Sequence, residues 1–360
     1  MARSHDMTSG SIWRSLLGFS IPIMISNLVQ STYNAVDMLF VGRFTGTESL
    51  AAVSVCGPIL NVMIITLSGM SAGGLVVISG LLGAGDIKQA QDAAHTSVAL
   101  YALMAAVMTV LGLLFVPQIL RLVQTPAAAM PEAKRYLYTV FAGTVFTFGY
   151  NLIGALQRGL GNAAASMSFV IISSAANIAL DAVFIVWLGM GAFGAALGTV
   201  LSQVAAFVIG TVQFARGGAA LRLSARAVRF HKKHLKNILL FGVPTALNEV
   251  MVNLAMLTVS GVANSFGLAS SAAYGVGSRI NSLAIFTDGA MNQTMSAYAS
   301  QNIGAGRQKR ALEGLWKAII LSAGAALGTS LLVLAFASEF SACFDSDPAV
   351  IEQSAAFLRV

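Results

Sequence analysis

The chain has 360 residues, 56% of them apolar and only 10% charged, with a net charge of +7. A soluble domain carries about 25% charged residues, so this composition excludes an ordinary soluble globule and points to a chain housed in lipid. The two cysteines, Cys56 and Cys343, offer neither a disulfide framework nor metal-ligand spacing.

In chain order, a polar segment at 1–14 is followed by apolar runs at 15–38, 50–80, 95–116, 136–157, 166–188, 192–214, 238–262, 269–300 and 317–337. Each is long enough to cross about 30 Å of hydrocarbon. The second and eighth exceed that need, which implies tilt, bending or an extension beyond the membrane. The first run continues as a full span without a cleavage site, so it is not read as a signal peptide. The expected fold class is all-α, a polytopic helical bundle, and 35 glycines suit close helix contact in lipid.

The basic residues sort by side. With the N-terminus in the cytoplasm, the inside segments hold fifteen of the 21 Lys and Arg and the outside segments hold Arg43, Arg121, Lys134 and Arg135. That is a positive-inside pattern. It accounts for the basic excess as topology, and no groove-reading motif supports nucleic-acid binding. The stretch 216–237 is the one long polar connection and carries seven cations, Arg216 to Lys236, with no acid. It is expected to be a cytoplasmic linker: first a solvated loop that obeys the inside rule, with a part-amphipathic helix lying on headgroups as the alternative.

An internal repeat straddles this linker. LLGFSIPI at Pro22 matches ILLFGVPT at Pro244. LLGAGD at Gly83 matches NIGAGR at Gly304, and the stretch at Pro126 matches that at Pro348, all at offsets of 221 or 222 residues. The chain therefore reads as an N-lobe at 15–215 (six spans) and a second lobe at 238–360. At this offset Val360 falls opposite Tyr138, early in the fourth span. The second lobe is thus expected to be incomplete, with three spans and the start of a fourth, and the chain to be a fragment.

Polar groups inside the apolar runs are few and costly at bilayer depth, where they mark ion or substrate sites. The first run carries Asn27, Gln30, Asn34 and Asp37 on one stripe. Asn177 and Asp181 lie four apart in the fifth, on one helix face. Glu249 and Asn253 share a face of the seventh, and Asp288 lies with Asn281 and Asn292 on the eighth. Asp37, Asn177 and Asp181 offer only oxygen ligands, the set that hard cations prefer. A protein-bound proton on either carboxylate is the rival, since burial and a second acid both favour the neutral form. The alternative to a site is a hydrogen-bonded network that only joins helices. Pro22 and Pro244 each remove a helix hydrogen bond and are candidate hinges. The glycine turns at Gly83 and Gly304 lack the Lys-Ser/Thr of a phosphate loop.

The stretches YNAVDMLFVGRFTGTESLAAVSV, LLGAGD, RGLGN, NIALDAVFI and GAFGAALGTVLSQ resemble the multidrug and toxic compound extrusion (MATE) transporters of the wider multidrug, oligosaccharidyl-lipid and polysaccharide exporter group. The resemblance covers 15–360. It implies two six-helix lobes about a central cleft, alternating access, and export of cationic or amphiphilic compounds against entry of Na+ or H+. It places the N-lobe cation site on Asp37, Asn177, Asp181, Ala195 and Thr199. Gln30, Asn34, Glu249, Asn253 and Asp288 become cleft or substrate candidates.

No cofactor beyond the coupling ion is expected, and the partners are a small molecule and the bilayer. The chain is expected to act as a monomer in the cytoplasmic (inner) membrane. A flippase for a lipid-linked saccharide stays as an alternative within transport, although only Arg279 lies within a span. An intramembrane enzyme is disfavoured because no HExxH or GxSxG motif is present.

Overall fold

The computed structural model describes residues 6–216, 221–342 and 348–359; of these, the side chains at 225, 268, 269, 271, 279–286 and 348–350 are left undescribed, which takes in Arg279 and Asn281, while Cys343 lies outside the described residues. Among the described residues eleven α-helices follow one another: α1 Ile12–Phe44, α2 Thr47–Gly83, α3 Ile87–Leu122, α4 Met130–Gly159, α5 Ala163–Asp181, α6 Gly191–Arg216, α7 Lys232–Ser265, α8 Leu268–Gly304, α9 Gln308–Ala335, α10 Ala337–Ala342 and α11 Pro348–Leu358. No strand occurs among the described residues. Eight of the helices are long and apolar enough to cross a membrane, and α8, with 37 residues, is a ninth long helix.

The helices outrun the apolar stretches. The 33 residues of α1 span roughly 50 Å, against about 30 Å of hydrocarbon. Polar residues such as Arg14 and Arg43 belong to the same helix as the span, because nothing between them breaks the hydrogen-bond ladder. Pro22 and Pro244 sit inside α1 and α7, which both run on as helix past them.

The turns explain where helices stop. The α2 end closes with the amide of Asp86 on the carbonyl of Leu81 (3.0 Å) and that of Gly85 on Leu82 (3.0 Å). The α8 end repeats this with Arg307 on Asn302 (2.8 Å) and Gly306 on Ile303 (3.0 Å). Both glycines take φ near +70°, the left-handed cap conformation that glycine adopts without steric cost. Asp86 then caps α3 by accepting from the Gln89 amide (3.0 Å), a bond that holds its carboxyl below the usual carboxylate range.

Helices α1 to α6 pack as one bundle and α8 to α11 as a second, while α7 lies chiefly along α2 of the first. The two bundles meet through α2 with α7 and α8, and through α1 with α8. These contacts gather at one end. The N-terminal half of α1 (Ile12, Leu16, Phe19, Ile23) packs with the C-terminal half of α8 (Ala290, Met291, Ala297, Tyr298). The same end carries the α2–α3 and α8–α9 turns and the stretch before α7, with most of the basic residues, and is called the basic end below. Beyond it α7 is largely exposed, from Leu247 to Val262.

The linker is mostly loop, the first of the two readings for 216–237, and not an amphipathic helix. Among its described residues only Ala225–Ala227 forms a short 3₁₀ turn, and helix resumes at Lys232. The backbone there is engaged by α3 instead: the Arg222 amide donates to Gln91 Oε1 at 2.7 Å.

Where α2 meets the second half, backbone lies on backbone. A Cβ on Gly73 would strike the Ile238 carbonyl, one on Gly83 the Gln301 carbonyl, and one on Gly304 the Gly80 carbonyl. Glycine here buys contact at the van der Waals limit, the form of packing that substitutes for hydrophobic drive in lipid. Gly304→Ala is expected to lower stability by on the order of 1–3 kcal/mol, because no side chain is available to yield. Gly324→Ala, which meets nothing within 4 Å, is expected to be neutral or to stabilise by up to about 1 kcal/mol. Thermal unfolding of the two variants in the same detergent tests this; a stabilising Gly304→Ala would contradict it.

Candidate functional site

The first bundle encloses a polar site built by α1, α5 and α6. On α5, Ser174, Asn177 and Asp181 follow at spacings of three and four and so stack on one face. All three are buried, at 3%, 2% and 0% exposure. Asp37 of α1 is half-buried and faces α5 closely enough for its charge to act on Asp181. On α6, Ala195 is fully buried and Thr199 half-buried, one turn apart.

The hydrogen bonding is incomplete in a specific way. Asn177 Nδ2 lies 3.5 Å from Asp181 Oδ1, a long contact at the limit for a hydrogen bond. Asp37 Oδ1, Asp181 Oδ2, Asn177 Oδ1 and Ser174 Oγ are all buried and accept from nothing. Buried acceptors are nearly always paired, so four orphans on two facing helices form an unusual concentration. Among the described residues the ion pairs are Arg135–Glu132 and His231–Asp92, and neither includes Asp37 or Asp181. Oxygen atoms left short of donors in this way are what a bare cation, or a proton carried by a carboxyl group, would complete.

Two features shape this site from behind. Gly198 of α6 stands where any Cβ would strike Asp181 Oδ1, so the carboxylate lies directly on the α6 backbone. Immediately after Asp181 the helix widens into a π-helical stretch, Ala182–Trp187, a deformation frequent at functional sites. Tyr33, one turn before Asp37, and Tyr136 of α4 lie within electrostatic reach of both carboxylates.

The remaining sequence candidates divide. Gln30 and Asn34 are exposed on the α1 stripe that leads to Asp37. Glu249 is half-buried on α7, and Asn253 donates to its carbonyl (2.8 Å) while accepting from Asn61 of α2 (3.2 Å). That pair joins α7 to α2 and is not brought to the carboxylates. Asp288 is exposed on α8. The methionines are also mixed: Met63 and Met70 are core, whereas Met38, Met251 and Met256 are exposed. A separate 430 Å³ cavity opens near Thr45, Ser49, Glu132 and Gly191. It lies about two helical turns beyond Asp37, toward the end opposite the basic one.

Ser174, Tyr33, Tyr136 and Gly198 were not singled out from the sequence. Ser174 had a signal, its place seven residues before Asp181 on the same face. Gly198 and Tyr136 had none, because their roles depend on which helix packs opposite.

Comparison with known proteins decides the family. The MatE family model matches residues 22–183 and again 244–360, two matches whose starts lie 222 residues apart. The chain belongs to the MatE family. It is therefore a membrane transporter and not an enzyme. It is 30% identical over 319 residues to the probable multidrug resistance protein YoeA of Bacillus subtilis, covering 85% of this chain and 68% of that protein. It is 29% identical over 308 residues to the probable multidrug resistance protein YpnP of the same organism, covering 86% of this chain and 69% of that one. An outward-facing multidrug resistance MATE transporter of the MOP superfamily superposes with a TM-score of 0.92 at 25% identity, over all of this chain and 80% of that structure.

The orphaned acceptors carry a stability consequence for this MatE chain. Asp181→Asn is expected to leave stability unchanged or raise it by on the order of 1 kcal/mol, because it removes an uncompensated buried charge. Asn162→Ala on the same helix is expected to cost about 1 kcal/mol, since Asn162 caps α5 by accepting from the Ala165 amide at 3.1 Å. Denaturation midpoints measured without added sodium check the pair. A loss at Asp181 as large as at Asn162 would assign Asp181 to structure.

Proposed function

We propose that this chain is a cation-coupled antiporter that exports organic cations or amphiphiles by alternating access. Asp37, Asn177, Asp181, Ala195 and Thr199 hold the coupling ion. The observation that carries this reading is the set of four buried, unpartnered oxygen atoms on the facing helices α1 and α5. The names of the Bacillus subtilis relatives support a drug-like cargo.

The chemistry follows from the donor set. Two carboxylates, an amide oxygen, a hydroxyl and a backbone carbonyl suit Na+, and the same carboxylates suit H+. Either ion neutralises charge between α1 and α5, so its arrival favours a different packing of these helices. Coupling needs no more than that: an ion shifts a two-state equilibrium by its difference in affinity for the two states. Pro22, lower on α1, lacks the amide that would brace the helix and is the place for it to bend. The carbonyl that the missing amide leaves short of a helix donor is that of Gly18, one turn earlier. The half-buried Glu249 and the exposed Asp288 offer negative charge to a cationic cargo from the second half. The basic end faces the cytoplasm of the inner membrane in this reading. Trp187 at one end, with Trp13 and Trp316 toward the other, fits the aromatic belts of membrane interfaces.

The test is efflux from vesicles with imposed sodium or proton gradients. Asp37→Asn and Asp181→Asn are each expected to reduce gradient-driven efflux by roughly one to two orders of magnitude. Glu249→Gln is expected to act on cargo affinity and leave ion dependence in place. Normal pumping by both aspartate variants under either gradient would end the proposal.

A further inference from the structure

The basic end is held by more than glycine contacts. The segment before α1 crosses onto the second half. Met7 is 1% exposed and sits in the α1–α8 core cluster. Its amide donates to Gln301 Oε1 (3.2 Å), and Asn302 Nδ2 donates to its carbonyl (3.2 Å). Arg310 donates to the carbonyls of Ser9 (2.8 Å) and Gly10 (2.9 Å), and Arg307 to that of Thr8. Asp6 shapes this loop by accepting from the Thr8 amide (2.8 Å), the Thr8 hydroxyl (2.6 Å) and the Ser9 hydroxyl (3.0 Å). Four successive carbonyls, 7 to 10, are thereby presented to the α8–α9 turn.

The segment before α7 does the reverse and binds the first half. Leu221 is 2% exposed within the core cluster of the first bundle. Gln91 of α3 pairs both ways with the backbone of Arg222. The Ser224 amide donates to His95 Nε2 (3.4 Å), the His231 amide to Thr96 Oγ1 (3.3 Å), and Lys233 Nζ to Gln89 Oε1 (3.0 Å). His231 Nε2 lies 3.5 Å from Asp92 Oδ1. The turns that receive the two leaders correspond in the repeat, since Gly85 and Gly306 are 221 residues apart and share one cap geometry.

We propose that residues 6–11 and 221–231 are a pair of crossed locks that hold the basic end shut, and that both must release for the cleft to open there. This rests on the alternating-access reading above. The physical argument is a division of labour. Glycine-lined helix faces meet without interlocking side chains, so they separate as smooth surfaces. The bonds of Arg307 and Arg310 to carbonyls 8 to 10, and those of Gln89 and Gln91 to the second leader, are exposed, so each one broken is replaced by one to water. Met7 and Leu221 add buried apolar anchors that must also leave their clusters, so the closed state is favoured until both leaders release.

The test uses the whole chain in vesicles with Cys56→Ser and Cys343→Ser. Thr8→Cys with Arg307→Cys, joined by a bismaleimide containing a reducible disulfide, is expected to abolish efflux, and reduction to restore it. Unchanged efflux with the linker in place would overturn the proposal. Independently, spin labels at Lys88→Cys and Lys309→Cys report the separation across the basic end. Combining Arg310→Ala with Gln91→Ala is expected to raise the open population roughly tenfold. A distance distribution identical to that of the unaltered locks would overturn the proposal. The distance measurement needs no ion gradient, so it separates failure of the locks from failure of the coupling site.

Discussion

The structure depends on an unmet electrostatic demand in the middle of the first bundle. Asp37, Asn177, Asp181 and Ser174 each hold a buried side-chain oxygen atom without a hydrogen-bond partner, on the packed helices α1 and α5. Buried in this way, two acids with no basic partner repel, and each forfeits its hydration. A sequence selected for stability alone would place a donor there, or apolar side chains of the same size. Gly198, which brings the α6 backbone onto Asp181, leaves no room for a side chain from α6 over that carboxylate, the arrangement on which the proposed ion site rests. Functional sites are where such local costs are tolerated.

The rest of the fold keeps that site sensitive without letting the chain fall apart. Helix α1 contacts α5 and α8 more than its neighbour α2, and α7 lies along α2 more than along α8. Helices α1 and α7, which carry Pro22 and Pro244, are thus shared between the halves. The contacts that join the halves are of three kinds: backbone against backbone at glycines, an apolar cluster of α1 with α8 that includes Leu16, Phe19 and Tyr298, and the leader segments at the basic end.

Much of this was legible in the sequence, and the reasons differ by residue. The helical class followed from apolar runs, because lipid leaves no other way to satisfy the backbone. Asp37, Asn177 and Asp181 stood out because a polar residue in a hydrophobic run has few bland explanations. The repeat was readable because turns constrain sequence tightly: Gly85 and Gly306 both need positive φ. What escaped was tertiary. Helix ends were placed too far inward, since the hydrocarbon sets the apolar length but not where the helix stops. The linker read as a loop from its charges, but its anchorage was not visible there: Gln91 and Thr96 of α3 bind its backbone. The partnership of α7 with α2 has no local signature at all.

The central claim is that the buried carboxylates receive the coupling ion. Infrared difference spectroscopy of the carboxyl stretching bands, recorded while sodium or protons are added to the purified protein, tests this most directly. The account predicts a carboxyl band that responds to one of these ions and is lost in both Asp37→Asn and Asp181→Asn. A response that survives in both variants, or no carboxyl response to either ion, would contradict it.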